Sequence, residues 1–181
     1  MKIIVDARPI EEIHFHTLGL WHFSDEKPLM GITGVVDWYL DANLSRLVIS
    51  GKITGQWAEK VLVAGIGGMV AGNILVVGLG KIKEFDESRI SLASGYMVSS
   101  ALGLGLSNIC MTLPGDGLEG IDIISHAEHT LYGLAKEIGE RDLIPRIICD
   151  ERNVEEVLLG FQTTKVRLKG QQKIDIERVG V

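Results

Sequence analysis

The sequence has too little of several things to belong to several protein classes. It has only two cysteines, Cys110 and Cys149, both inside apolar runs, "NICMTL" and "IPRIICD". Two thiols cannot build a disulfide-stapled scaffold, and the pair reads as buried free cysteines of a reducing cytoplasm. Basic residues are outnumbered: 18 Lys and Arg stand against 24 Asp and Glu, for a net charge of −6. That balance lacks the basic footprint of sequence-independent nucleic-acid binding. The opening "MKIIVDARPIEEIH" has no long apolar core of a signal peptide. No internal repeat and no low-complexity linker interrupts the chain.

One uncharged run is long. "VLVAGIGGMVAGNILVVGLG" extends from Val61 to Gly80 between Lys60 and Lys81 and matches a membrane span in length. Its glycines, at positions such as Gly65, Gly67, Gly68 and Gly72, each weaken a helix by about 1 kcal/mol relative to alanine. The run therefore reads as two short buried strands, "VLVA" and "NILVVG", around a glycine-rich turn, and no membrane is an expected partner.

What remains is a chain of 181 residues, enough for one α/β domain with a core. "KIIVDA" and "IHFHTLGLWHF" (13–23) read as strands, and Gly34–Gly51 as one helix. After the strand pair comes a helix capped by Asp86, with Ile90, Ala93, Met97, Ala101 and Leu104 on one face. Strand "NICMTLP", loop "GDGLEG", a helix capped by Asp122, strand "IPRIICD" and a last helix follow. Asn153 and Glu156 resemble a capping box for that last helix. Alternation of strand and helix builds βαβ units around a sheet covered on both faces. Residues 1–170 form the domain, and 171–181 are a tail or an edge strand.

The Gly34–Gly51 helix is apolar on two sides. Val36, Leu40, Leu44, Leu47 and Val48 make a core stripe, while Trp38, Ala42 and Ile49 lie opposite. The second cluster needs a cover. The expectation is that another part of the chain covers Trp38, whereas the Ile49 edge meets a second subunit. Met69, in the glycine-rich turn, joins the interface candidates.

The run "VDW", "LSRL", "GKITGQ", "KVLV" and "LVVGLGK" is similar to the N-terminal domain of the leucyl aminopeptidase family. That resemblance implies a macro-domain-like three-layer sandwich, a mixed but mostly parallel sheet with helices on both faces. The family's two-metal chemistry lies in a larger C-terminal domain with the signature Asn-Thr-Asp-Ala-Glu-Gly-Arg-Leu. Nothing like that signature occurs here. The resemblance thus implies a stand-alone, non-catalytic relative that binds protein, either itself or a peptidase-type partner chain. No catalytic residue, metal or cofactor is expected.

The alternative is a module for a nucleotide or an ADP-ribose-like ligand. "VGLGKIKEFDESR" supplies Gly78, Gly80 and Lys81, with Lys83 beyond, ahead of a helix N-terminus that favours anions. "LPGDGLEGID" supplies Gly115, Asp116, Gly117 and Gly120 between a strand end and a helix start. Asp116, Glu119 and Asp122 oppose a pyrophosphate there, and the loop reads as an open rim whose acids are dispensable. His14 and His16, two apart in a strand with His22 nearby, and His126 and His129 on a helix do not complete a metal site by themselves. The latter pair is expected on a solvated face. No serine or cysteine has nucleophile context.

Overall fold

Parallel strands set the frame, and the sequence supplies them as short apolar runs. The computed structural model describes residues 1–64, 72–120 and 122–180. Among these, β1 (Lys2–Asp6), β2 (Thr17–His22), β3 (Lys60–Ala64), β4 (Asn73–Gly78), β5 (Asn108–Met111), β6 (Ile144–Ile148) and β7 (Asp175–Val179) form one sheet, ordered β3-β4-β2-β5-β6-β1-β7. Every neighbouring pair is parallel except β3–β4, where Lys60 faces Val77 and Ala64 faces Asn73. The uncharged run is therefore strand on either side of residues 65–71. That segment, with Met69, lies outside the described residues. Among the described residues no helix is long and apolar enough to cross a membrane.

Helices α3 (Glu87–Gly103), α4 (Ile123–Ile138) and α5 (Val154–Arg167) cover one face. They bury Met97, Leu131, Leu134 and Phe161 completely against Ile3, Val5, Val77 and Ile147. Local capping sets two of their starts: Asp86 accepts from the Arg89 amide and Asp122 from the Ile124 amide. Asn153 caps nothing. Asp150 instead accepts from the Arg152 amide and starts a single 3₁₀ turn that leads into α5. Leu104, expected inward, lies beyond the last turn of α3 and is exposed.

The other face is covered by α1 (Gly31–Tyr39) and α2 (Asn43–Ile49), which correct the single expected helix. Asp41 and Ala42 both have positive φ, 52° and 60°, so the chain turns between two short helices. The Asp37 carboxylate stabilises the break by accepting from the Ser45 amide and hydroxyl. Val36, Leu40 and Leu44 are buried on Leu18, Leu20, Ile74 and Val76. The described residues do not cover Trp38: it is 75% exposed and touches the edge of Tyr39. Ile49 is 86% exposed, and Ala42 is exposed in the turn rather than on a helix face. Strand β2 is shorter than its apolar run suggested, so His14 and His16 precede it, exposed.

Candidate functional site

The carboxyl ends of β1, β5 and β6 open onto two cavities, of about 300 and 490 Å³. Both are lined by Asp116, Ile148, Cys149 and Asp150. The smaller adds the glycine loop and His126, and the larger adds Arg8, Gly31, Ile32 and Glu151. Open α/β sheets place ligands at this edge.

Helix α1 has no capping side chain of its own, since Met30 occupies its N-cap. Asp116, 84 residues away, fills that role: its Oδ2 accepts from the Ile32 amide at 2.8 Å. The approach requires glycine at two points. A Cβ on Gly31 (φ +53°) would fall 2.4 Å from Asp116 Oδ2, and one on Gly117 (φ +91°) 2.7 Å from the Gly31 nitrogen. Asp116 keeps open surface, yet protein atoms crowd its carboxyl. That burial raises its pKa; the Ile32 amide lowers it, and the Asp150 charge raises it further.

The same arrangement recurs along this edge. Asp25 accepts from the Ile82 amide, and Glu26 from the Phe23 and Met30 amides. Glu59 accepts from the Thr54 and Gly55 amides. These amides, which could otherwise meet an anion, are thus bonded to the chain's own carboxylates. The cations are engaged as well. Arg8 binds Asp6 through Nε and Nη2 at 2.9 and 2.7 Å. Arg152 binds Asp150 in the same way, and its hydrogen bonds pull the Asp150 carboxyl down to about 2.

The strand-turn at Gly78–Lys81 is occupied by packing. The Gly78 amide donates to Glu59 O, and the Gly80 amide to Gly55 O. A Cβ on Gly78 would lie 2.0 Å from Gln56 O. Lys81 and Lys83 are exposed. Gly115 packs on Phe85, while Gly120 and Glu119 are exposed without such contacts.

His126 corrects the expectation of a solvated histidine pair. It is 3% exposed, its Nε2 hydrogen-bonds Pro114 O, and Phe85 lies 6.2 Å away ring to ring. Burial drives its pKa down to about 4, against the opposing effect of the Pro114 carbonyl. His129 Nδ1 meets the Ser125 carbonyl oxygen at 2.9 Å and the Ser125 hydroxyl at 3.5 Å, while that hydroxyl donates its proton to Glu87, which lies 3.6 Å from His129 Nε2. The order of a nucleophile and its base is absent there. His22 is buried beside Glu26 at 3.5 Å. Among the described residues no three His, Cys, Asp or Glu side chains converge on a metal position. Burial pushes the Cys110 thiol to about 12 and Cys149 to about 11, so both stay protonated and poor nucleophiles.

Residue spacing did not reveal the Asp116–Ile32 bond, although the non-capping Met30 ahead of α1 was its signal. The bond changes the expectation for the loop. Asp116→Ala should lose about 1–2 kcal/mol, as for a helix N-cap, rather than the mild effect of an open rim. Glu119→Ala should lose nothing measurable. Urea unfolding of both variants checks this, and equal midpoints would remove Asp116 from its capping role.

The matches to known proteins bear on the family and the fold. Residues 18–138 match the model of the cytosol aminopeptidase family, N-terminal domain. A probable cytosol aminopeptidase of Pseudomonas syringae pv. tomato is 24% identical over 97% of this chain and 32% of its own length. One from Sulfurihydrogenibium is 24% identical over 70% of this chain and 25% of its own length. This chain spans about a third or less of those curated relatives. Among solved structures, a mutant tomato leucine aminopeptidase superposes with a TM-score of 0.68 at 14% identity, over 94% of this chain and 36% of that one. An Oceanobacillus iheyensis macrodomain mutant with ADPR gives 0.62 at 12% identity, over 92% of each. The fold is macrodomain-like, and the chain belongs to the cytosol aminopeptidase family through its N-terminal domain.

Proposed function

We propose that the chain is a non-catalytic, cytoplasmic protein-binding module whose simplest partner is a second copy of itself. The observation that carries this reading is Trp38, 75% exposed on α1, with Val35 at 40% on the same helix and Ile49 at 86% on the next. Burying a tryptophan contributes a few kcal/mol at about 25 cal/mol per Å², so an uncovered one with the exposed Val35 a turn before it on the same helix favours association. Among the described residues no nucleophile and base converge in the cleft, which is compatible with a non-catalytic module, and the two free thiols suit a reducing compartment.

Trp38→Glu and Ile49→Glu should each leave the melting temperature within a few degrees of the parent and shift its mass toward the monomer. Light scattering behind size exclusion, over a range of concentrations, reads the result. A parent that is monomeric throughout, or variants of unchanged mass, would overturn self-association.

A second reading is a nucleotide or ADP-ribose-like ligand in the divided cleft. Its support is the position of the two cavities and the likeness to a macrodomain solved with ADPR. Asp116, Asp150 and Glu151 oppose it, because they line the cleft with negative charge. A thermal shift with ADP-ribose separates the readings: none accompanies the first, and a saturable one would favour the second.

A further inference from the structure

Away from that edge, a third cavity lies on the face of the sheet that α1 and α2 leave partly uncovered. It holds about 520 Å³ and is lined by Ile4, Ile13, Phe15, Ile144, Cys110 and Arg146, with Asn108, His14 and His16 at its polar side. Strand register explains the composition. Cys110 of β5, Arg146 of β6 and Ile4 of β1 stand side by side in one row across the sheet. The α1–α2 layer buries the neighbouring row members on β2 and β4, Leu18 and Ile74, but Arg146 keeps 28% of its side-chain surface.

The charge here has the opposite sign to the chain as a whole. Asp6 is fully buried and accepts from both Arg8 and Arg146. Asp6 thus divides its charge between two guanidinium groups, of which Arg146 alone lines this cavity. His14 and His16 add ring N–H donors, and Cys110 stays a neutral thiol. Lys2 and Glu177 pair with each other at 2.5 Å, and Glu12 offsets part of the Arg8 charge. Among the described residues no carboxylate lines the cavity.

We propose that this cavity binds a small organic monocarboxylate with an apolar body. The guanidinium of Arg146 receives the carboxylate, since a planar fork suits that group and one guanidinium on the wall suits a monoanion. Ile4, Ile13, Ile144 and Phe15 take the apolar body, in the manner of small-molecule sites with few polar groups on an apolar lining. The site is separate from the exposed Trp38 and Ile49 surface, so it stands or falls independently of self-association.

The test uses the full chain and three probes: 4-phenylbutyrate, its neutral amide 4-phenylbutanamide, and inorganic phosphate. Calorimetry measures affinity, and amide shifts of Cys110, Ile144 and Arg146 in NMR locate the site. Saturable binding of the carboxylate is expected, with the amide and phosphate weaker by at least about tenfold. Arg146→Gln should weaken the carboxylate about tenfold or more, and His16→Glu, on the exposed wall, about threefold or more. Should Arg146→Gln fail to fold, His16→Glu decides alone. Equal binding of carboxylate and amide, preference for phosphate, shifts elsewhere in the protein, unchanged affinity in His16→Glu, or no saturable binding would each overturn the proposal.

Discussion

Gly133→Ala is expected to cost about 3 kcal/mol, near the upper end of what overpacking does. Gly133 sits in α4 where that helix crosses α3 most closely. A Cβ there would lie 2.0 Å from the Ser91 carbonyl oxygen and 2.8 Å from the Ser91 carbonyl carbon. Both are backbone atoms of α3, so no side chain can rotate away, and the helices must separate. Separation loosens the contacts that bury Ala93, Met97, Leu131 and Leu134. It also strains the bond from the Ser91 hydroxyl to His129 O. For a chain of this size the loss corresponds to roughly 6–12 °C in melting temperature. Gly95→Ala is the control. It faces the same helix pair, but its nearest contact would be an ordinary 3.8 Å from Gly133 O. There the gain in helix propensity, up to about 1 kcal/mol, should leave the protein as stable as before or more so. If both variants melt like the parent, α3 and α4 do not pack this closely.

Acidification is expected to remove a comparable amount through His126. The buried imidazole has a folded pKa of about 4, below the ordinary 6.5. A lowered folded pKa means that the unfolded chain binds the proton more readily. The stabilisation is therefore complete above pH 6.5, and it is lost as the pH falls from 6.5 toward 4. At 1.36 kcal/mol per pKa unit the loss reaches about 3 kcal/mol. Carboxylates titrate in the lower part of that range, so the comparison is with His126→Gln. The variant starts less stable, having lost the ring against Phe85, but its stability should change less between pH 6.5 and 5. Urea midpoints at half-unit pH intervals give the two slopes. Parallel slopes would show that His126 reaches its proton without unfolding.

Several elements were legible because their causes are local. Short, mostly apolar runs bounded by glycine or acidic residues mark β4 and β6, and Asp86 and Asp122 mark the starts of α3 and α4. The α1–α2 break was not legible: "YLDANL" keeps helical spacing, and two consecutive left-handed residues show only in backbone angles. The capping box at Asn153 did not form: Asp150 starts a 3₁₀ turn ahead of α5, and Asn153, at the end of that turn, already has helical backbone angles.

The sequence by itself determined the α/β class, the family resemblance and the run of elements, because periodicity, glycine punctuation and capping are properties of neighbouring residues. Tertiary structure decided what covers each face and which charges meet. Asp116 reaches Ile32, and Arg146 reaches Asp6, over 84 and 140 residues of chain. His126 is buried because Phe85 and Pro114 return over it, whereas Trp38 stays open because no described part of the chain returns over α1. Spacing along a helix separates its faces, but only the packed chain decides which face meets water.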